Sequence, residues 1–112
     1  MYYGELFLKG KSKKEILLST NICHPSMGNN ETSGMVVTAR LAQWIKSLKN
    51  RKYSYRIIFI PETIGSIAYI NKNISHLKKN TIAGFVVVCV GDNKNTSFLP
   101  SPSGNTLADR AA

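Results

Sequence analysis

Five polar residues, His24, Asn30, Glu31, Glu62 and Asp92, stand at points where a chain of strands and helices could do chemistry. An apolar, strand-like run from Glu15 to Cys23 delivers the backbone to His24, and Pro25 then ends the ladder because proline has no N–H to donate. A run from Tyr53 to Ile60 ends at Pro61, next to Glu62, and one from Ile82 to Val90 ends at Gly91, next to Asp92. His24, Glu62 and Asp92 therefore each follow a predicted strand by one or two residues, and parallel strands would bring all three to one edge of the sheet. Imidazole nitrogen and carboxylate oxygen are the usual donors to a catalytic zinc, which takes three protein ligands and keeps a position for water. Such a metal polarises a carbonyl and supplies hydroxide near neutral pH. A carboxylate within hydrogen-bond reach of that water acts as general base, and Glu31 and Glu62 are the candidates. Each residue also has an ordinary explanation. His24 suits a polar loop, Glu62 the first turn of a helix, Asp92 a turn after glycine, and Asn29 and Asn30 turns and caps.

The elements that must position these residues follow from periodicity. Tyr2 to Leu8 alternates as a strand, Lys9 to Ser12 is a turn, and with Glu15 to Cys23 a hairpin is expected. Thr32 or Ser33 is the N-cap of a helix running to about Asn50. Its apolar stripe, Val37, Leu41, Trp44, Ile45 and Leu48, is expected to lie against the sheet together with Ile58, Val86 and Val88. A shorter helix is expected from Ser66 to about Asn73, with Ile67, Ile70 and Ile74 on one side, and His76 in a Lys-rich connector as a structural residue. The last run, Phe85 to Val90, is apolar without alternation, as in a strand covered on both faces. Asn105 to Arg110 begins a final helix. Strand, helix, strand, helix, strand is the order of an α/β protein with a mainly parallel sheet, and in such sheets ligands sit beyond the carboxyl ends of the strands.

Bulk composition narrows the function classes. The 112 residues suffice for one small domain, and 43% hydrophobic content supports a real core. No apolar run approaches the ~20 residues of a membrane span, and the start of the chain lacks the pattern of a signal peptide, so a cytoplasmic, membrane-free protein is expected. Cys23 and Cys89 lie in apolar runs and are expected to be small buried thiols. The net charge of +9 comes from lysines at turns and on helix surfaces, without zinc-finger spacing or an aromatic–basic pattern, so nucleic acid is not an expected partner.

The segments His24-Pro-Ser-Met-Gly-Asn-Asn-Glu-Thr-Ser-Gly34, Phe59-Ile-Pro-Glu-Thr-Ile-Gly-Ser66 and Cys89-Val-Gly-Asp-Asn93 together resemble bacterial proteins with an aminopeptidase-like domain. These are linked to polysaccharide biosynthesis and related to the zinc aminopeptidases. The resemblance extends to Gly104-Asn-Thr-Leu-Ala-Asp-Arg110. It implies part of a phosphorylase/hydrolase-like α/β fold, with His24 as first metal ligand, Asn30 in the segment of a bridging aspartate, Glu62 as base or ligand, and Asp92 as a late acidic ligand. Asn30 replaces an acid there, and Pro61 stands where a second glutamate is usual. A neutral amide bridges two metal ions poorly, so one divalent ion, zinc, is expected rather than two. Members of the family are several times longer, and residues 1–112 are expected to be a fragment of one catalytic domain, truncated at both ends.

The expected function is metal-dependent hydrolysis of a peptide or amide bond in a small substrate, incomplete in this chain alone. The other reading is a non-catalytic binding module of the same fold serving surface-polysaccharide biosynthesis. Expected partners are an oligomeric copy or the remainder of the parent domain.

Overall fold

The computed structural model describes residues 2–23, 28–95 and 97–112. Among these, the strands are β1 (Gly4–Leu8), β2 (Glu15–Asn21), β3 (Ser54–Ile60) and β4 (Thr81–Val86), and they form one sheet in the order β1-β3-β2-β4. β2 runs parallel to both β3 and β4, and β1 pairs antiparallel with β3. The mixed α/β class with a mainly parallel sheet is therefore as the element order predicts.

The expected β1–β2 hairpin does not form. β2 is largely buried and sits centrally, with a parallel neighbour on each side, so β1 is left the outer edge of β3. The segment between β1 and β2 is tied instead to the approach to β3, through Lys11 N–H to Arg51 O at 2.9 Å and Ser12 N–H to Lys52 O at 2.8 Å.

Two helices cover opposite faces. Helix α1 (Ser33–Ser47) connects β2 to β3, and its Ala42 and Ile45 pack with Leu8, Leu18 and Ile57. Helix α2 (Ile64–Asn80) connects β3 to β4, and Tyr69 and Leu77 pack with Ile58, Ile60 and Leu17. Alternate residues of β3 thus serve the two layers, Ile57 one and Ile58 with Ile60 the other, as the period of two requires. A short helix α3 (Leu107–Ala111) starts with a capping box between Thr106 and Asp109, where the sequence places a helix start.

The helices differ from expectation in detail. α1 follows a single π-helical turn (Gly28–Thr32), and Thr32, the residue before it, is already helical and makes no side-chain cap. The buried face of α1 is Gly34, Thr38, Ala42 and Ile45, so of the expected stripe only Ile45 is buried, while Val37, Trp44 and Leu48 are exposed. Small residues win this contact because the helix lies close to the strands: a Cβ on Gly34 would collide with Val87 O and come within 2.6 Å of Thr20 Oγ1. α2 is longer than expected and contains His76, with Ile67, Ile70 and Ile74 exposed. β4 ends at Val86 and is an edge strand with Val86 exposed and Val88 half-buried, so it is not covered on both faces. Cys23 and Cys89 are both exposed free thiols, because each lies beyond the last ladder residue of its strand rather than within it.

Candidate active site

The carboxyl ends of β2, β3 and β4 share one edge of the sheet, since the three run parallel. The chain leaves β2 toward the face covered by α1 and leaves β3 toward the face covered by α2. Adjacent strands whose loops turn to opposite faces open a crevice at their carboxyl ends, where α/β proteins bind ligands.

Cys23, Glu31 and Glu62 meet at this edge. Glu31, in the π-helical turn, is fully buried, with 0% exposure. Its Oε2 accepts from the Cys23 backbone N–H at 2.8 Å and its Oε1 from the Cys23 thiol at 3.0 Å. The Glu62 backbone N–H also reaches the Cys23 sulfur. The bond to Glu31 keeps the proton on sulfur and pushes the Cys23 thiol above its ordinary pKa; the Glu62 N–H works against this, and the charges of the two carboxylates add to it.

A second set of bonds clasps the same turn to the segment after β4. Asn30 O accepts from Cys89 N–H at 2.9 Å, Ser33 Oγ from Val90 N–H at 3.0 Å, and Asn29 Oδ1 from Gly91 N–H at 2.9 Å. Gly91 is required by this approach, because a Cβ there would strike Asn29 Oδ1 and lie 3.0 Å from Ser33 Cβ. Thr63 (φ 55°) and Cys89 (φ 53°) hold left-handed backbone conformations without being glycine. Both lie at the strand-end turns of this edge, and such conformations persist only where the surroundings enforce them.

Of the residues singled out from sequence, Glu31 and Glu62 are brought together around Cys23. Asn30 lies beside them, its side-chain oxygen 3.5 Å from the Cys89 sulfur. Asp92 is exposed, six positions beyond the end of β4, and accepts from the Lys94 N–H at 2.8 Å in a turn of its own. His24, three positions after the end of β2, lies outside the described residues. Among the described residues, no three His, Cys, Asp or Glu side chains gather closely enough to hold a metal. Sequence reasoning missed Cys23 as a partner of Glu31, and the clasp of Asn29 and Ser33. Its one visible signal is Gly91, a small residue just past an apolar run and available for close backbone approach.

No helix among the described residues is long and apolar enough to cross a membrane. A relative from Clostridium acetobutylicum, named "Putative polysaccharide biosynthesis protein with aminopeptidase-like domain", is 42% identical over 108 residues, which is 96% of this chain and 24% of that protein. A crystal structure described as a "putative peptidase", also from Clostridium acetobutylicum, superposes with a TM-score of 0.76 at 46% identity, covering 81% of this chain and 21% of that one. This chain thus spans about a quarter of the length of its curated relative. The resemblance read from the three motifs agrees with both. The family described as "Domain of unknown function (DUF4910)" matches residues 1–112, and the chain belongs to that family.

Proposed function

We propose that this chain supplies the strand-end loops of a metal-dependent, aminopeptidase-like hydrolase acting on peptide or amide bonds of small substrates. The observation that supports it best is the placement of the residues that follow β2 and β3. Glu62 follows β3 by two positions, at an edge where the loops of neighbouring parallel strands diverge to opposite faces, and in the sequence His24 follows β2 by three. His24, Glu62 and Asp92 would hold one divalent ion, zinc, with Asn30 as a neutral oxygen donor. The donor types fit zinc. The described residues do not form the set without His24, and Asp92 would have to give up its turn with Lys94. When bound, such an ion polarises a carbonyl and acidifies water.

The roles of the two glutamates divide. Both oxygens of Glu31 already accept hydrogen bonds from Cys23, so Glu31 is a positioning residue that fixes the backbone immediately before His24. Glu62 is exposed, so its carboxylate is open to serve as metal ligand or, where it does not bind the ion, as the base that exchanges a proton with water.

Zinc titration by calorimetry tests this reading. A weak, pH-dependent response lost in His24→Ala is expected, with no turnover of an aminoacyl-nitroanilide by this chain. The resemblance implies a further histidine downstream, and none follows His76 here. A zinc response unchanged in His24→Ala removes the reading. The second reading, a non-catalytic binding module, is favoured by Asn30, whose backbone oxygen serves the clasp and whose side chain lacks a charge. Asn30→Asp separates the two: tighter zinc binding supports the hydrolase lineage, and no change supports the module.

A further inference from the structure

The opposite edge of the sheet, at the amino ends of β2 and β3, carries a cavity that the hydrolase reading does not use. Its volume is about 440 Å³, the size of a small-molecule site, and its lining includes Lys9, Lys11, Lys13, Glu15, His76 and Asn80. Glu15 is buried and its carboxylate is fully engaged. Arg56 donates to both oxygens, Thr81 Oγ1 donates to one, and His76 Nε2 lies 3.1 Å from the other. The imidazole is engaged as well, since Nε2 also lies 3.1 Å from Arg56 Nη2 and Nδ1 lies 3.1 Å from Asn80 Nδ2.

The lysines are in a different position. Lys14 Nζ donates to Lys79 O at 2.7 Å, whereas the side chains of Lys9, Lys11 and Lys13 have no bonding partner among the described residues. Burial would raise the pKa of Glu15, but Arg56 and His76 hold it lower, so this charge is matched without help from the lysines. Among the described residues Glu15 is the one carboxylate that lines the cavity, which therefore has positive charge and hydrogen-bond donors in excess. We propose that it binds a phosphate group, free or carried by a small molecule, whose terminal oxygens accept from Lys9, Lys11 and Lys13. Lysine meets phosphate as a point charge on a flexible stem, so three of them converge on one dianion without backbone movement. This inference is independent of the hydrolase reading, because the two sites lie at opposite edges of the sheet.

The test is a titration of the nitrogen-15-labelled chain with inorganic phosphate, followed by amide chemical shifts, with chloride adjusted to hold the ionic strength constant. Saturating shifts confined to residues 9–13, His76 and Asn80 are expected. Lys11→Glu together with Lys13→Glu is expected to weaken binding at least about fivefold. Lys46→Glu together with Lys94→Glu makes the same change in net charge away from the cavity and is expected to leave binding within about twofold. The spectra of both double variants report their fold directly. Glycerol 3-phosphate distinguishes the two sources of the group: tighter binding than inorganic phosphate assigns a phosphorylated small molecule, and equal or weaker binding assigns phosphate itself. Shifts that do not saturate, shifts spread over lysines of the whole surface, or equal weakening in the two double variants would each overturn the proposal, because a diffuse counter-ion effect then explains them.

Discussion

Two glutamates, Glu15 and Glu31, are buried at opposite edges of one sheet, with 1% and 0% exposure, and they are held by different chemistry. Glu15, at the start of β2, accepts from Arg56 Nε at 2.9 Å and Nη2 at 3.2 Å, and from Thr81 Oγ1 at 3.3 Å, and it bonds His76 Nε2 at 3.1 Å. Arg56 also pairs with Glu5 of β1, so one cluster joins all four strands and α2. Burial by itself would raise the pKa of Glu15, but the bonds from Arg56 and then His76 outweigh it and hold the carboxyl below its ordinary value. Arg56 is pushed further up in turn, chiefly by its bond to Glu15. Among the described residues, Glu31 accepts from the backbone amide and the thiol of Cys23, in an edge that also holds the strained Thr63 and Cys89. The amino edge is thus cross-linked by charge. The carboxyl edge is assembled from short loops bonded to each other, and it is there that the candidate site lies.

Arg56→Ala tests that contrast most severely. It leaves Glu15 buried without its main cation, and a loss of about 3–5 kcal/mol in urea unfolding is expected. The same variant carries a pH signature. Because the folded-state pKa of Glu15 is depressed, its stabilisation is fully present above the ordinary carboxylate value of 4.5 and is lost as pH falls below it. In Arg56→Ala burial is no longer outweighed, so the stability of the variant should fall less steeply than that of the wild type below that pH. An equally steep fall would mean that Arg56 does not set the acid response.

Glu31→Gln is the matching experiment at the other edge. One amide oxygen can keep a bond to Cys23, but the NH2 group cannot accept the second, so a cost of about 1–3 kcal/mol is expected. The pH profile attributed to Glu15 should be unchanged. A cost as large as that of Arg56→Ala would show that the two edges are equally critical. Glu62→Gln should have the smallest effect on stability, within about 0.5 kcal/mol, because the side chain is exposed. It should nonetheless weaken any zinc response that depends on His24, and an unaltered zinc response would remove Glu62 from the site.

The sequence by itself determined the class of this protein and where its polar loops fall. β-branched runs ended by Pro25 and Pro61, and helical periodicity between them, are local signals that act over a few residues. They suffice to place Glu62 at a strand end and Glu31 at the mouth of α1. Tertiary structure alone decided the rest. Whether β1 pairs with β2 or β3 depends on which neighbours a doubly buried central strand acquires, and that is fixed by the helices crossing over it. Which face of α1 is buried was decided by the close approach of Gly34 to Thr20 and Val87, which favours Thr38 and Ala42 over the larger Trp44 stripe. The Glu15–Arg56–His76 cluster brings together residues 41 and 61 positions from Glu15, a separation at which no periodicity carries information. Cys23 and Glu31 are only 8 apart, yet their bond depends on a π-helical turn that turns the carboxylate back toward the strand. Long-range pairing and side-chain direction are properties of the packed whole, and they decide which of the chemically able residues actually meet.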